Sequence, residues 1–385
     1  MSSIQTRTNM RPVFDDVFMT FRAASGASSE VEIRGAFEEL ARAASERGAL
    51  PFQDKVYGLR AARTMIHRAR ASAYSLHGLD PSTPYSFHEG RPLGGGSFAG
   101  AQLWGIVPKE RSVGIETIEM DGIRGRRLRG DGFAALHLCH VHGLDSDGRF
   151  RDEPTAQASR MFDRAEEVLG GLGFGFRDVV RTWIYSARLL DWYGGLNKVR
   201  TKFFDLHGVG ADAGRSFPAS TGIQGISDHE EVSMDVLAIR AGDGVRLEID
   251  PLHESCRQDR PFDYGSAFSR AMRVGLFGGD SIFVSGTASI ERSGQSVHIG
   301  NEESQILETL LSIGALLRER GAGLEDIVSA TVFCKTETVL SRFQEVARLL
   351  AIPSFPYVAV LADVCRPELL VEVEAVAARP AEARA

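Results

Sequence analysis

A chain of 385 residues, 43% hydrophobic and 25% charged, is long enough for two or three ordinary domains and can bury sizeable cores. Its formal charge of −7 argues against a nucleic-acid partner, and its four cysteines, Cys139, Cys256, Cys334 and Cys365, lack the paired spacing of a zinc knuckle or disulfide framework. No run is long enough to span a membrane, and Met1 to Arg11 has no apolar core for a signal peptide, so a cytoplasmic protein without a membrane partner is expected.

In chain order, Val13 to Arg22 reads as a strand that ends at an Ala-Ser-Gly turn. Ser29 and Glu32 have the spacing of a capping box, and Ile33, Phe37, Leu40 and Ala44 form the helical stripe that follows, ended by Gly48. A short apolar stretch surrounds Val56-Tyr57, a helix runs from Ala61 to about Leu76, and a glycine-rich loop leads to a strand from Ala101 to Val107. After a basic connector, Arg124 to Arg129, the order repeats. Phe133 to Val141 is a strand, Ala158, Met161, Phe162, Ala165, Leu169 and Leu172 are a helical stripe, Val179 to Tyr185 is a strand, Leu196 to Leu206 a helix and Val232 to Ile239 a strand. Beyond a polar linker, Ala241 to Asp259, it repeats again with the strand Ser281 to Ile290, the stripe Ile306, Leu310, Ile313 and Leu317, and the strand Ile327 to Phe333.

The last two segments can be laid on one another. Asp178-Val179-Val180 corresponds to Asp326-Ile327-Val328, and Gln157 and Gln305 precede them at the same distance. A weaker correspondence links Ala73-Tyr74-Ser75-Leu76-His77-Gly78 to Phe203-Phe204-Asp205-Leu206-His207-Gly208, and Pro84-Tyr85 to Pro356-Tyr357, which makes the first segment a third, divergent copy. The chain closes on a strand, Leu369 to Ala377, whose alternation puts Glu372 and Glu374 on one face beside Leu370 and Val376. Alternation alone fits a solvated edge strand as well. Burial of that face would instead raise the pKa of Glu372 and make it a usable general acid near neutrality. The matched positions in the other copies are Ser233 and Gly100, so one copy alone keeps the acid.

The closing stretch, together with Gly323 to Phe333, resembles the RidA (YjgF) superfamily of small trimeric domains whose active sites lie between subunits. An ordered set spans more of the chain: Tyr85 to Pro92, Phe98 to Gly105, Arg181 to Tyr185, Trp192-Tyr193, Asn197, Arg200, Phe203-Phe204, Pro218 to Ile223, Ser285 to Ser289 and Cys365 to Glu372. It resembles the chorismatase family within that superfamily, in its 3-hydroxybenzoate synthase-like subgroup. The resemblance implies an α+β fold of tandem RidA/YjgF-like (chorismate mutase-like) repeats forming an intramolecular pseudo-trimer, with units at 1–108, 109–245 and 260–380. It also implies an enzyme, a single chain acting as its own trimer, that removes the enolpyruvyl group of chorismate as pyruvate without metal or organic cofactor. The ring product is then 3-hydroxybenzoate or, in the hydrolytic subgroup, a dihydroxycyclohexadienoate.

On that reading Glu372 is the acid that protonates the enol ether, and Cys365 sits where the aromatic-forming and hydrolytic subgroups differ. Arg366 and Arg181 are expected to hold substrate carboxylates, with Arg91 and Arg200 behind them, and Gly286, Tyr193 and Tyr357 join the substrate-binding set. Tyr357 stands where the RidA family usually has a carboxylate-binding arginine, which counts against imine deaminase activity and leaves a ligand-binding protein without turnover as the other alternative. His137, His140 and His142 do not suggest a metal site, since only the last two share a strand face and no carboxylate stands at ligand spacing.

Overall fold

The capping box forms as the spacing predicts. The Ser29 hydroxyl accepts from the Glu32 N–H, and the Glu32 carboxylate accepts from the Ser29 N–H at 3.0 Å. This starts α1 (Glu30–Glu46), which buries Ile33, Phe37, Leu40 and Ala44. The computed structural model describes residues 4–92, 94–210, 216–225 and 229–380.

The chain builds three sheets from three consecutive stretches. The first contains β1 (Ile4–Met10), β2 (Phe14–Ala27), β3 (Leu50–Gly58), β4 (Ser86–Glu89) and β5 (Phe98–Pro108), with α1 and α2 (Arg63–Leu76) between strands, in the order β1-β2-β5-β3-β4. The second contains β6 (Gly114–Met120), β7 (Ile123–Gly130), β8 (Phe133–His142), β9 (Val179–Ser186), β10 (Ala219–Gln224) and β11 (Val232–Ala241), with α3 (Pro154–Gly171) and α4 (Leu189–Leu206). The third contains β12 (Leu247–Leu252), β13 (Ala271–Leu276), β14 (Gly279–Ala288), β15 (Ile327–Cys334), β16 (Tyr357–Leu361) and β17 (Val371–Arg379), with α5 (Glu302–Arg318) and α6 (Glu337–Leu349).

Each sheet has the same plan. An antiparallel hairpin pairs with the last strand of the unit, that strand pairs with the strand after the first helix, and a short edge strand after the second helix adds in parallel. Each sheet also has its own core against its helices, such as Met161, Phe162 and Phe203 in the second unit. A fourth core lies where the other faces of the three sheets meet, with Phe18, Phe52, Trp104, Trp183, Leu237, Met272 and Phe283. The tandem α+β repeats thus form an intramolecular pseudo-trimer. Among the described residues no helix is long and apolar enough to cross a membrane.

The differences from expectation lie mostly at sheet margins. Arg124 to Arg129 is no connector but part of β7, and the Ala241–Asp259 linker contains β12. The expected turn after Arg22 is a continuation of β2 with a register shift before Ala27. β1, β6 and β12 are edge strands rich in polar residues, so they read as loops; what makes them strands is backbone pairing to a neighbour. α4 starts earlier than its stripe because Gly194-Gly195 interrupts the apolar pattern, and α6 was not read at all.

Strand register equates positions across units. Tyr57 lies opposite Gly100, Tyr185 opposite Ser233 and Phe333 opposite Glu372. Two residues along, Gln102, Asp235 and Glu374 occupy the matched inner positions and turn toward the place where the units meet. There Gln102 donates to the Ala330 carbonyl at 2.7 Å, and Glu374 receives Arg181 at 2.8 Å, Thr331 at 3.2 Å and Lys55 at 3.7 Å. These bonds join all three units.

Candidate active site

Glu372 is brought into a cavity between the second and third units, with only 3% of its surface exposed. β17 places it opposite Ala288 of β14, where β14 shifts register between Val284 and Thr287. The shift leaves Gly286 directly under the carboxylate. A Cβ on Gly286 would sit 1.9 Å from Glu372 Oε1, so any side chain there displaces the acid. The Gly286 N–H donates to Thr221 Oγ1 at 3.1 Å, which ties the bulge to β10 of the second unit.

The walls come from both units. The second supplies Tyr193 and Arg200 on α4 with Ser220 and Gly222 on β10; the third supplies Tyr264, Phe268, Arg270, Ile290, Cys365 and Arg366. The cavity they enclose has a volume of about 40 Å³. Three guanidiniums face it, and among the described residues they donate to neutral groups. Arg200 donates to Asn197 Oδ1 at 2.6 Å and Ser220 Oγ at 3.4 Å, and its Nε is buried without a hydrogen bond. Arg270 donates to the Asp259 carbonyl at 3.0 Å and to the Tyr264 hydroxyl at 2.6 Å. Arg366 donates to the Gly294 carbonyl at 2.8 Å and Ser296 Oγ at 3.1 Å. Burial lowers the pKa of Arg200 and Arg270, so an anion entering the cavity would offset part of their desolvation.

Burial, followed by the neighbouring Glu374 charge, pushes the Glu372 pKa up to about 8, while Arg181 and the Cys365 thiol act weakly the other way. Glu372 is therefore mostly protonated at neutral pH. Glu374, 2 residues away on the same face, takes the opposite state: burial opposes ionisation, but Lys55 and Arg181 hold its pKa below the usual carboxylate range. The pair divides into a proton donor and a fixed anion because the cations lie on one side. Burial and the Glu372 charge push the Cys365 thiol up, so it stays protonated.

The structure assembles Glu372, Cys365, Arg366, Gly286 and Tyr193 around one cavity, and keeps three of the expected substrate-binding residues, Arg181, Tyr357 and Arg91, out of it. Arg181 lies behind the acid, bonded to Glu374 and, at 2.5 Å, to Thr221 Oγ1, so it sets charge and does not line the cavity. Tyr357 is corrected more fully: it packs under the Arg22 guanidinium, 4.4 Å from the ring centre, where the third unit meets the first. The reason is geometric. Each interface joins the acid-bearing strand of one unit to the parallel edge strand of the preceding unit, so the residue at the Tyr357 position beside Glu372 is Ser220 on β10. Arg91 bridges to Leu361, also outside the cavity. Arg270, Tyr264 and Phe268 escaped the sequence reading, since they lie in the stretch after the supposed linker and no periodicity marks them.

Parts of the chain are similar to known proteins. Residues 262–379 match the Endoribonuclease L-PSP family model. A 3-hydroxybenzoate synthase from Streptomyces hygroscopicus is 27% identical over 252 residues, covering 60% of this chain and 70% of the relative. A RutC family protein from Pyrococcus abyssi is 32% identical over 111 residues, 29% of this chain and 84% of the relative. A crystal structure of a chorismatase superimposes with a TM-score of 0.52 at 22% identity, covering 72% of this chain and 82% of the other, and so shares the fold. At 32% identity over 84% of that relative's length, the likeness to the RutC family protein places the chain in the RutC family, within the RidA/YjgF-like superfamily.

Proposed function

We propose that the chain cleaves the enolpyruvyl ether of chorismate, with Glu372 as the general acid. The observation that carries this is a carboxylic acid held protonated near neutrality in a cavity faced by Arg200, Arg270 and Arg366. Enol ether cleavage begins with a proton delivered to the methylene carbon, and an acid with a pKa near the working pH suits that step. Chorismate carries two carboxylates, and guanidiniums with neutral partners are the natural receivers. Tyr193, Tyr264 and Phe268 offer ring faces for the cyclohexadiene.

Protonation produces a cation that is attacked either by water, which gives pyruvate and a dihydroxycyclohexadienoate, or from within the substrate, after which pyruvate leaves and the ring becomes aromatic. The second route balances without water. Cys365, a thiol beside Glu372, anchors water poorly, and Gly286 adds no side chain. We therefore assign 3-hydroxybenzoate and pyruvate, in equal amounts, as products. Incubating the purified chain with chorismate, with pyruvate measured by a coupled dehydrogenase and the ring product by chromatography, tests both levels. Absence of pyruvate would leave a ligand-binding protein; pyruvate with the diol and no 3-hydroxybenzoate would leave the hydrolytic reading. Arg366→Ala should raise KM and reduce kcat, because a misplaced ring is not presented to the acid.

A further inference from the structure

The pseudo-threefold plan puts a second cavity at the matched interface, between the first and second units. Its volume is about 670 Å³, and Arg60, Arg63, His67, Tyr85, Arg124 and His140 are among its lining residues. The correspondence with the Glu372 cavity can be followed residue by residue. Counting back from the matching helix ends His77-Gly78 and His207-Gly208, Arg63 takes the place of Tyr193 and His67 that of Asn197. Arg124 lies opposite Cys139 as Arg270 lies opposite Ser285, so the two arginines hold one position in their units. His140 occupies the bulge that Gly286 occupies in β14, its N–H donating to Asp235 Oδ1 at 2.8 Å. Ser233 stands where Glu372 would be.

This cavity has therefore kept the cationic wall without the acid. Its described lining includes no carboxylate, though Glu119 lies 3.6 Å from Arg124 on the exposed side and Glu230 lies 3.4 Å from His140. Burial first, and then Arg70, Arg63 and Arg124, lower the His67 pKa, as a positive field requires. α2 begins at this cavity from Ala62, which offers no side-chain cap, and has no acidic residue in its first turn. In a chain of net charge −7, a concave site of one positive sign is a focused anion trap. At the third matched interface Val358 packs over Gly100, and Tyr357 lies under Arg22.

We infer that the cavity between the first and second units is a second, non-catalytic binding site for a small molecule bearing a phosphate or carboxylate group, held by Arg124, Arg60 and the start of α2. Both arginines are exposed, so Arg60→Gln/Arg124→Gln should fold and should keep its basal chorismate turnover. Titration calorimetry at constant ionic strength with inorganic phosphate, and separately with citrate, tests the site. Binding to wild type with Kd of about 1 mM or tighter is expected for at least one probe. Which probe binds tells phosphate from carboxylate recognition. The double variant should bind at least about tenfold more weakly, while Arg270→Gln, in the Glu372 cavity, should bind like wild type. Absence of binding to wild type, unchanged binding by the double variant, or loss of binding in Arg270→Gln would each overturn the assignment. Since binding is read without turnover, these results are independent of whether the chain cleaves chorismate.

Discussion

Glu372 holds its proton because it is buried and beside an anion, and that has two consequences, activity and stability both falling as pH rises. Glu372→Gln should fold and lose about 100-fold to 10,000-fold in kcat, the usual share of a positioned acid, and wild-type activity should fall as pH rises past about 8. Stability should change with it. The folded pKa is raised from 4.5 to about 8, so the folded state binds the proton more tightly than the unfolded chain does, and stability declines as pH climbs between those values. Denaturant melts of Glu372→Gln should lack that part of the decline. An equal slope in both proteins would show that Glu372 is not the titrating group. At Cys365 the expectation concerns product: Cys365→Gln introduces an amide that can anchor water, so chromatography should detect the diol beside 3-hydroxybenzoate.

The bulge in β14 places the acid, and it works only with glycine. A Cβ at Gly286 would meet Glu372 Oε1 at 1.9 Å and Thr221 Cγ2 at 3.1 Å; Glu372 belongs to a strand paired on both sides, and Thr221 to the edge strand β10, held by its pairing to β9. Gly286→Ala should therefore rotate the carboxyl out of line, cutting kcat by tenfold or more. The loss should exceed any effect on KM, because the arginines lie on other segments. Circular dichroism should report a native fold. If kcat survives while the melting temperature drops, the bulge matters for packing and not for aiming the acid. The edge strand β10 is the other half of this device, since Ser220 and Thr221 bring the second unit's backbone up to the acid-bearing strand.

The inner cluster of Lys55, Arg181 and Glu374 links the assembly of the three units to the chemistry. Burial brings Lys55 down to about 8, and Glu374 is the carboxylate paired with both cations. Glu374→Gln should cost about 3–5 kcal/mol in denaturant unfolding, because it strands two buried cations. It should also move the alkaline limb of the rate profile to lower pH, since the Glu374 charge is one of the causes that raise Glu372 and Arg181 then acts unopposed. A purely structural role would lower stability and leave that limb in place. Because the covalent chain already closes the threefold arrangement that separate subunits otherwise make, sedimentation should give the mass of one chain.

How much of this was legible beforehand depended on the distance over which each feature is decided. Capping by Ser29 and Glu32, the helical stripes and the alternation around Glu372 are local, and they were readable because an apolar face must repeat at the period of its element. The repeat itself was readable from equal spacing, and the loss of the acid in two copies, Ser233 and Gly100, agrees with the strand registers. The polar edge strands were not, since a strand paired on one side needs no apolar pattern. Nor was the division of labour among the arginines. Arg181 and Arg270 look alike in sequence, yet one neutralises Glu374 and the other faces the cavity, according to which face of which strand carries it. Tyr357 is the clearest case: its place in the repeat was read correctly, but its partner across the interface belongs to the first unit and not the second. The order in which three similar units close around an axis is set by packing between residues more than 100 positions apart, as in the Tyr57–Thr331 contact, and no local pattern encodes it.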